Sequence, residues 1–393
     1  MSTVMHSVKK TFTVKTLNLL FALAAICIFN GCKSQAPEPV ISDVRIPINI
    51  LEKVNLQEKW FNQTLPMDPL AVVRNIYIHD NLLLVLDSRN KLHALDADRG
   101  IVKWSVQLCG PHYPVSTPEY FNNSVMFICD QTFVEVKLAD GQIIKKMDLG
   151  FPSRTSVARW QNAATGDEKM DYLFVGQHDG DFNCIDASNG LTIWKSIHSD
   201  YPPKGRIEIF QDKVYFTDSK GTVYCSPVTK RENIWSAGSS GQSVGPIIKD
   251  GQCFVANTDT ALRCYDAETG TVNWKYLAGG PLVSFPVITD KYVYQAVTGT
   301  ANKLVCLNAK TASKEGNIVW ELKNGKQILA EDGEISYAVT NDNYFVVMSA
   351  NTGKQKQVSF PMPGLSVFVA NDVNNMIYLA TEKGAIIAIK PMR

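Results

Sequence analysis

The stretch D-A-D-R-G-I-V-K-W, from Asp96 to Trp104, returns as D-A-S-N-G-L-T-I-W from Asp186 to Trp194 and as D-A-E-T-G-T-V-N-W from Asp266 to Trp274. Each copy opens on an acidic turn residue, passes through a glycine and ends on a tryptophan. Looser copies end at Trp235 and Trp320, degenerate ones place Lys145 and Gln357 in the tryptophan position, and Trp60 supplies one more at the start. These eight positions recur at roughly 37 to 49 residues, a period that marks propellers and related arrays.

Around each phrase the residues alternate apolar and polar. Cys253 to Asp266 reads as strand, tight turn and strand, with Ser243 to Lys249 before it, Asp250-Gly251 as a hairpin turn and Thr271 to Leu277 behind it. Such a unit has four antiparallel strands, the content of one blade. Met376 to Ile389 offers inner strands with no tryptophan strand after them, whereas Trp60 has little before it. The expectation is therefore an all-β chain folded as an eight-bladed β-propeller of four-stranded antiparallel blades, its ring closed by pairing the N- and C-terminal strands.

Repetition also assigns side chains. A tryptophan that recurs in equivalent outer strands is expected to pack one blade on the next rather than to bind a ligand, which places Trp60, Trp104, Trp194, Trp235, Trp274 and Trp320 in blade docking. Cys184, Cys225, Cys264 and Cys306 share a third-strand slot with Ala94 and Ala388, as expected of a small buried position. Cys109, Cys129 and Cys253 lie off that slot, and a bridge between Cys109 and Cys129 stays open.

The 393 residues are 45% apolar with a formal net charge of +1, which gives no basis for nucleic-acid binding. Lys9, Lys10 and Lys15 precede an apolar run from Leu19 to Phe29, the layout of an export signal too short to span a bilayer. Phe29-Asn30-Gly31-Cys32 resembles the lipobox of bacterial lipoproteins, and this resemblance implies lipidation of Cys32. We thus expect a signal peptide at 1–31, a lipidated cysteine and flexible tether at 32–48, and a single propeller at 49–393. Lys33 after Cys32 is compatible, by resemblance to enterobacterial sorting, with the outer membrane facing the periplasm.

Catalytic signals are weak. No two histidines stand at metal-ligand spacing, there is no phosphate loop, and carboxylates are spread through turns. Gly241-Gln242-Ser243-Val244-Gly245 matches G-x-S-x-G, but the nucleophile elbow needs a helix after it and here a strand follows. The reading is a protein without enzymatic activity, cofactor or metal. The widest spacing, between Lys145 and Trp194, places an enlarged hairpin at Gln161 to Asp171, with Trp160 and Arg159 at its base and Arg154 before them. Enlarged loops on rigid scaffolds carry function, and Trp and Arg are frequent interface anchors. Arg154, Arg159 and Trp160 are therefore the candidate partner-binding residues. A second enlarged turn, Lys310 to Asn317, is polar.

The phrase [DN]-A-x-x-G-x-x-x-W, preceded by a short strand such as L-R-C-Y at Leu262 to Tyr265, resembles the repeat of pyrroloquinoline-quinone-type propellers over about residues 52–393. In that superfamily the quinoprotein dehydrogenases carry a vicinal cysteine pair and are longer; no adjacent cysteines occur here. With its lipoprotein signal, size and repeat, the chain is similar to the BamB-type lipoproteins of outer-membrane β-barrel assembly. That resemblance implies a scaffold binding envelope proteins such as a BamA-like barrel subunit. The alternative is a propeller lipoprotein that binds another ligand or a glycan.

Overall fold

The computed structural model describes residues 44–392 apart from 165–167, 198–199, 311–314, 356–358 and 372–373. The signal peptide, Cys32, most of the tether, Gln357 and part of each enlarged turn lie outside the described residues. A short helix, α1 (Ile48–Lys53), precedes the strands and buries Leu51.

The first strand, β1 (Leu56–Asn62), is followed by β2 (Val73–His79), β3 (Leu82–Asp87), β4 (Lys91–Asp96) and β5 (Val102–Gln107), which form one four-stranded antiparallel sheet. The next holds β6 (Glu119–Phe121), β7 (Ser124–Cys129), β8 (Thr132–Lys137) and β9 (Ile143–Asp148). Then come β10 (Ser153–Gln161), β11 (Asp171–Gln177), β12 (Asp181–Asp186), β13 (Thr192–Ile197), β14 (Pro203–Phe210), β15 (Lys213–Asp218), β16 (Val223–Pro227) and β17 (Trp235–Ala237). Four-stranded sheets follow from β18 (Ser243–Lys249), β19 (Gln252–Asn257), β20 (Ala261–Asp266) and β21 (Val272–Leu277), and from β22 (Val287–Ile288), β23 (Tyr292–Val297), β24 (Lys303–Asn308) and β25 (Ile318–Lys323). Another contains β26 (Gly325–Asp332), β27 (Ile335–Thr340), β28 (Tyr344–Ser349) and β29 (Phe360–Pro361). Finally β30 (Leu365–Phe368), β31 (Ile377–Thr381) and β32 (Ile386–Pro391) join β1, which pairs antiparallel with β32.

The expectation of eight four-stranded blades in a closed ring is corrected by this pairing. Among the described residues the architecture is six four-stranded blades plus one eight-stranded sheet, ordered β13-β12-β11-β10-β14-β15-β16-β17. The joint is a parallel bridge between Thr155 of β10 and Gly205 of β14. Its physical basis is the absence of side chains: a Cβ on Gly176 would lie 2.6 Å from both Pro203 and Thr155. Tryptophan spacing reports outer strands and is silent about whether inner edges meet, so the sequence count missed the joint.

Middle strands are buried on both faces and read as continuous apolar runs. β3 is L-L-L-V-L-D with five of six residues buried, whereas the outer β9 alternates half-buried and exposed. Between consecutive sheets lie separate apolar clusters, such as Trp104 with Leu84, Phe127 and Val134.

Each recurring phrase contributes to two sheets. The turn acid caps its own turn: Asp266 Oδ1 accepts the N–H groups of Glu268 and Thr269 at 3.1 and 2.8 Å. The Thr269 N–H foremost holds the Asp266 carboxyl below its usual range. The carbonyl of the residue after the equivalent strand end accepts the indole N–H of the preceding tryptophan strand. Trp60 donates to Ala97 at 2.8 Å, Trp104 to Leu138 at 2.8 Å, Trp194 to Val228 at 3.2 Å, Trp235 to Ala267 at 3.0 Å and Trp320 to Ala350 at 2.8 Å. Trp274 is fully buried, and its N–H finds no acceptor among the described residues.

The phrase glycine completes the contact. Gly141 has φ +75°, and a Cβ there would lie 2.6 Å from the Trp104 ring; Gly270 meets Trp235 in the same way. Opposite each tryptophan stands the small slot: Ala94 faces Trp104, Cys184 faces Trp194, Cys225 faces Trp235, Cys264 faces Trp274 and Cys306 faces Trp320. The exception keeps the logic. Lys145 replaces tryptophan, Glu135 replaces the small residue opposite it, and Lys145 Nζ donates to the Ala187 carbonyl of the next sheet.

Candidate partner-binding surface

Strand β10 carries all three residues singled out in the sequence and separates them. Arg154 stands near its start, while Arg159 and Trp160 lie roughly 15–20 Å further along. The two at the hairpin base are engaged within the chain. Arg159 donates to both oxygens of Asp171 at 2.8 and 2.7 Å and to Glu135 Oε1 at 2.8 Å, and its guanidinium lies over the Phe121 ring. The Asp171 hydrogen bonds raise the Arg159 pKa further, against the opposing effect of burial. Trp160 Nε1 donates to Asp212 Oδ1 at 2.7 Å, and the ring packs against Tyr172. Together they fasten the base of the 161–171 hairpin to the preceding sheet through Glu135 and to the turn between β14 and β15 through Asp212.

Arg154 is exposed and lines a cavity of about 680 Å³ where the first strands of several sheets begin. Lys204, Arg206 and His178 are further basic side chains in its wall, and Asp130 is an acidic one. Val115, Val244, Leu282, Val283 and Phe285 form its apolar part. Val283 is among the exposed large apolar residues. Lys204 Nζ donates to Gln242 Oε1 at 2.7 Å. Ser243 of the G-x-S-x-G match also lines the cavity; its hydroxyl accepts the Gly245 N–H at 3.0 Å, and it begins strand β18. The wall can thus receive a chain segment or small molecule carrying negative charge beside apolar groups.

Arg206 is spoken for on its inner side. Its Nε lies 3.1 Å from Glu119 and 3.0 Å from Glu208. The side chain is a third exposed, toward the cavity, whereas Glu119 is 8% exposed. Burial pushes the Glu119 carboxyl up to about 8, against the pull of Arg206, and Glu208 adds to the rise. A buried carboxylate, Glu119, and a half-buried one, Glu208, share one guanidinium, so Glu119 favours its proton near neutral pH.

Reading by repeats missed Lys204, Arg206, His178, Leu282 and Phe285. They belong to inner-strand openings, which carry no part of the tryptophan phrase. The one available signal was glycine near inner-strand starts, as at Gly205 and Gly245, both with positive φ. Among the described residues no group of three His, Cys, Asp or Glu side chains is placed to hold a metal, and no helix is long and apolar enough to cross a membrane.

A family model described as outer membrane protein assembly factor BamB matches the chain at residues 60–237, 178–290 and 229–350. The chain belongs to this family. The crystal structure of BamB from Moraxella catarrhalis is similar over 85% of this chain and 97% of its own, with TM-score 0.60 and 13% identity. A computationally designed protein, Ika8, is similar over 84% and 99%, with TM-score 0.62 and 12% identity. At these identities the likeness is one of fold. No curated protein sequence matches the chain. Membership of the BamB family agrees with the resemblance carried by the repeat.

Proposed function

We propose that the chain is a non-catalytic scaffold of the cell envelope that binds protein partners in outer-membrane β-barrel assembly. The observation that carries this reading is the match of the BamB family model along residues 60–350. Lipidation at Cys32 would hold the propeller near the membrane through a tether, since several acyl chains on one cysteine anchor firmly where a single chain does not. The partner is a BamA-like barrel subunit. Arg154 and the basic and apolar cavity wall around it are the contact surface, and Arg159 and Trp160 hold the neighbouring hairpin in place for it.

The test is affinity purification of the full chain from cross-linked membranes, with Arg154→Glu in parallel. Recovery of a barrel-assembly subunit with the wild type, reduced about tenfold by the substitution, is the expected result. A second reading, a ligand- or glycan-binding propeller, draws on the same 680 Å³ cavity. Recovery of no envelope protein, together with binding to a sugar array, would replace the scaffold by that reading.

A further inference from the structure

Seven cysteines fall within the described residues, and six of them are buried. Cys109 differs. It is half-buried on the connection between β5 and β6, at the edge of a second cavity that also receives Arg89, Lys91 and Lys146. Its sulfur accepts from the Asn90 side-chain amide at 3.5 Å, and the same amide holds the carbonyls of Gly110 and Tyr113 at 2.8 Å each. The chain then turns so that Val115 pairs with Cys129 and Ser116 N–H donates to Ile128 at 2.9 Å. Cys109 packs against the apolar cluster that contains Cys129, the last residue of β7, so the two thiols share one side of the fold.

We propose that Cys109 and Cys129 are a thiol–disulfide couple in which Cys109 reacts first with a disulfide-bearing oxidant and Cys129 resolves the adduct. Access sets the order of attack: Cys109 is half-buried at the cavity that Arg89, Lys91 and Lys146 also line, whereas Cys129 is buried. Burial foremost raises the thiol pKa values of Cys184, Cys225, Cys253, Cys264 and Cys306.

The chemistry is a two-electron exchange. The Cys109 thiolate attacks one sulfur of a low-molecular-weight disulfide, forming a mixed disulfide and expelling one thiolate, which takes a proton from water. Cys129 gives its proton to water and attacks the Cys109 sulfur, releasing the second thiolate. The pair is oxidised and the external disulfide is reduced to two thiols. The product closes the segment between residues 109 and 129, and Pro114, Val115, Ser116 and Thr117 of that segment line the 680 Å³ cavity. Oxidation would therefore restrain one wall of that cavity. The inference stands on the thiol geometry and is independent of the scaffold reading.

The full chain, first reduced, is treated with glutathione disulfide, and its thiols are then trapped and mapped. The expected result is loss of two thiols, a peptide linking Cys109 to Cys129, and alkylation of reduced Cys109 about tenfold faster than of the other described cysteines. In Cys129→Ser a glutathione adduct should accumulate on Cys109, with an unchanged circular dichroism spectrum showing that the variant is folded. Retention of both thiols, or an adduct on wild-type Cys109 with no linked peptide, would overturn the couple. So would an adduct on a different cysteine in folded Cys129→Ser.

Discussion

At the scale of single residues, the recurring tryptophan is one half of a joint whose other half is the next turn. Trp104 buries its ring over Gly141 and satisfies its N–H on the Leu138 carbonyl. Trp104→Ala opens a cavity and strands that carbonyl, and should cost about 3–5 kcal/mol in chemical denaturation. Trp104→Phe keeps most of the packing and loses the hydrogen bond, for about 1–2 kcal/mol; equal losses for the two would deny the joint. Glu119 gives a residue-scale pH dependence. Its folded pKa, about 8, lies above its ordinary value of 4.5, so the native state binds its proton more tightly than the unfolded chain. The stability this provides is full below about pH 4.5 and is lost as pH rises through about 8. Glu119→Gln retains a neutral side chain at every pH. The wild type should therefore lose on the order of 2 kcal/mol relative to Glu119→Gln between about pH 5 and about pH 9, a difference measured by paired melting curves.

At the scale of elements, strand type was legible because each strand's pattern reports its own surroundings. The run Leu82 to Leu86 declares a strand covered on both faces, and Asp250-Gly251 declares the turn that sets Lys249 opposite Gln252. The cysteine slot was readable as small and buried, but its cause, a tryptophan directly across the ladder, became visible only in the register. The joint of β10 to β14 was not legible, since it rests on backbone proximity at Gly176 and Gly205 rather than on any patterned side chain. The cavity stayed hidden for a related reason: Arg154 and Lys204 open two different strands, β10 and β14, Leu282 lies on the connection between β21 and β22, and the three share no spacing. Gly205 also offers a test of how closely β18 approaches β14. It has φ +85°, and a Cβ there would collide with the Val244 carbonyl at the start of β18, whereas Gly150 has φ +74° and open space around it. Both glycine-to-alanine changes carry the strain of a left-handed backbone, but Gly205→Ala alone displaces a strand. Gly205→Ala should be the more destabilising by about 2–3 kcal/mol in urea titration. Equal effects would show that the approach of β18 to β14 carries no energy of its own.

At the scale of the whole molecule, β1 is the element whose removal reaches furthest. Its hydrogen bonds go to β32, at the other end of the chain. Leu56 lies in the cluster with Leu329, Tyr337 and Ile387, while Trp60 lies with Val73, Val85 and Tyr378. The Trp60 N–H and the Tyr378 hydroxyl converge on one acceptor, the Ala97 carbonyl, at 2.8 and 3.2 Å. One strand from the N-terminus thus supplies side chains to two apolar clusters and covers the edge of a strand 330 residues later, which Leu56↔Pro391 and Asn62↔Ile386 bound. Deleting residues 49–65 removes this strand and α1, exposes β32 as an unpaired edge and opens both clusters to water. The expected outcome is loss of the single cooperative melting transition, with dye binding to newly exposed apolar surface. If the defect is the missing strand rather than a general failure to fold, a synthetic peptide of residues 49–65 added in excess should restore the transition by pairing with β32, because the hydrogen-bonding edge and both half-clusters remain in the truncated chain. A truncated chain that melts as the full one does would show that β1 contributes little, and failure of the peptide to restore the transition would place the loss in the folding of the remaining sheets rather than in the absent strand.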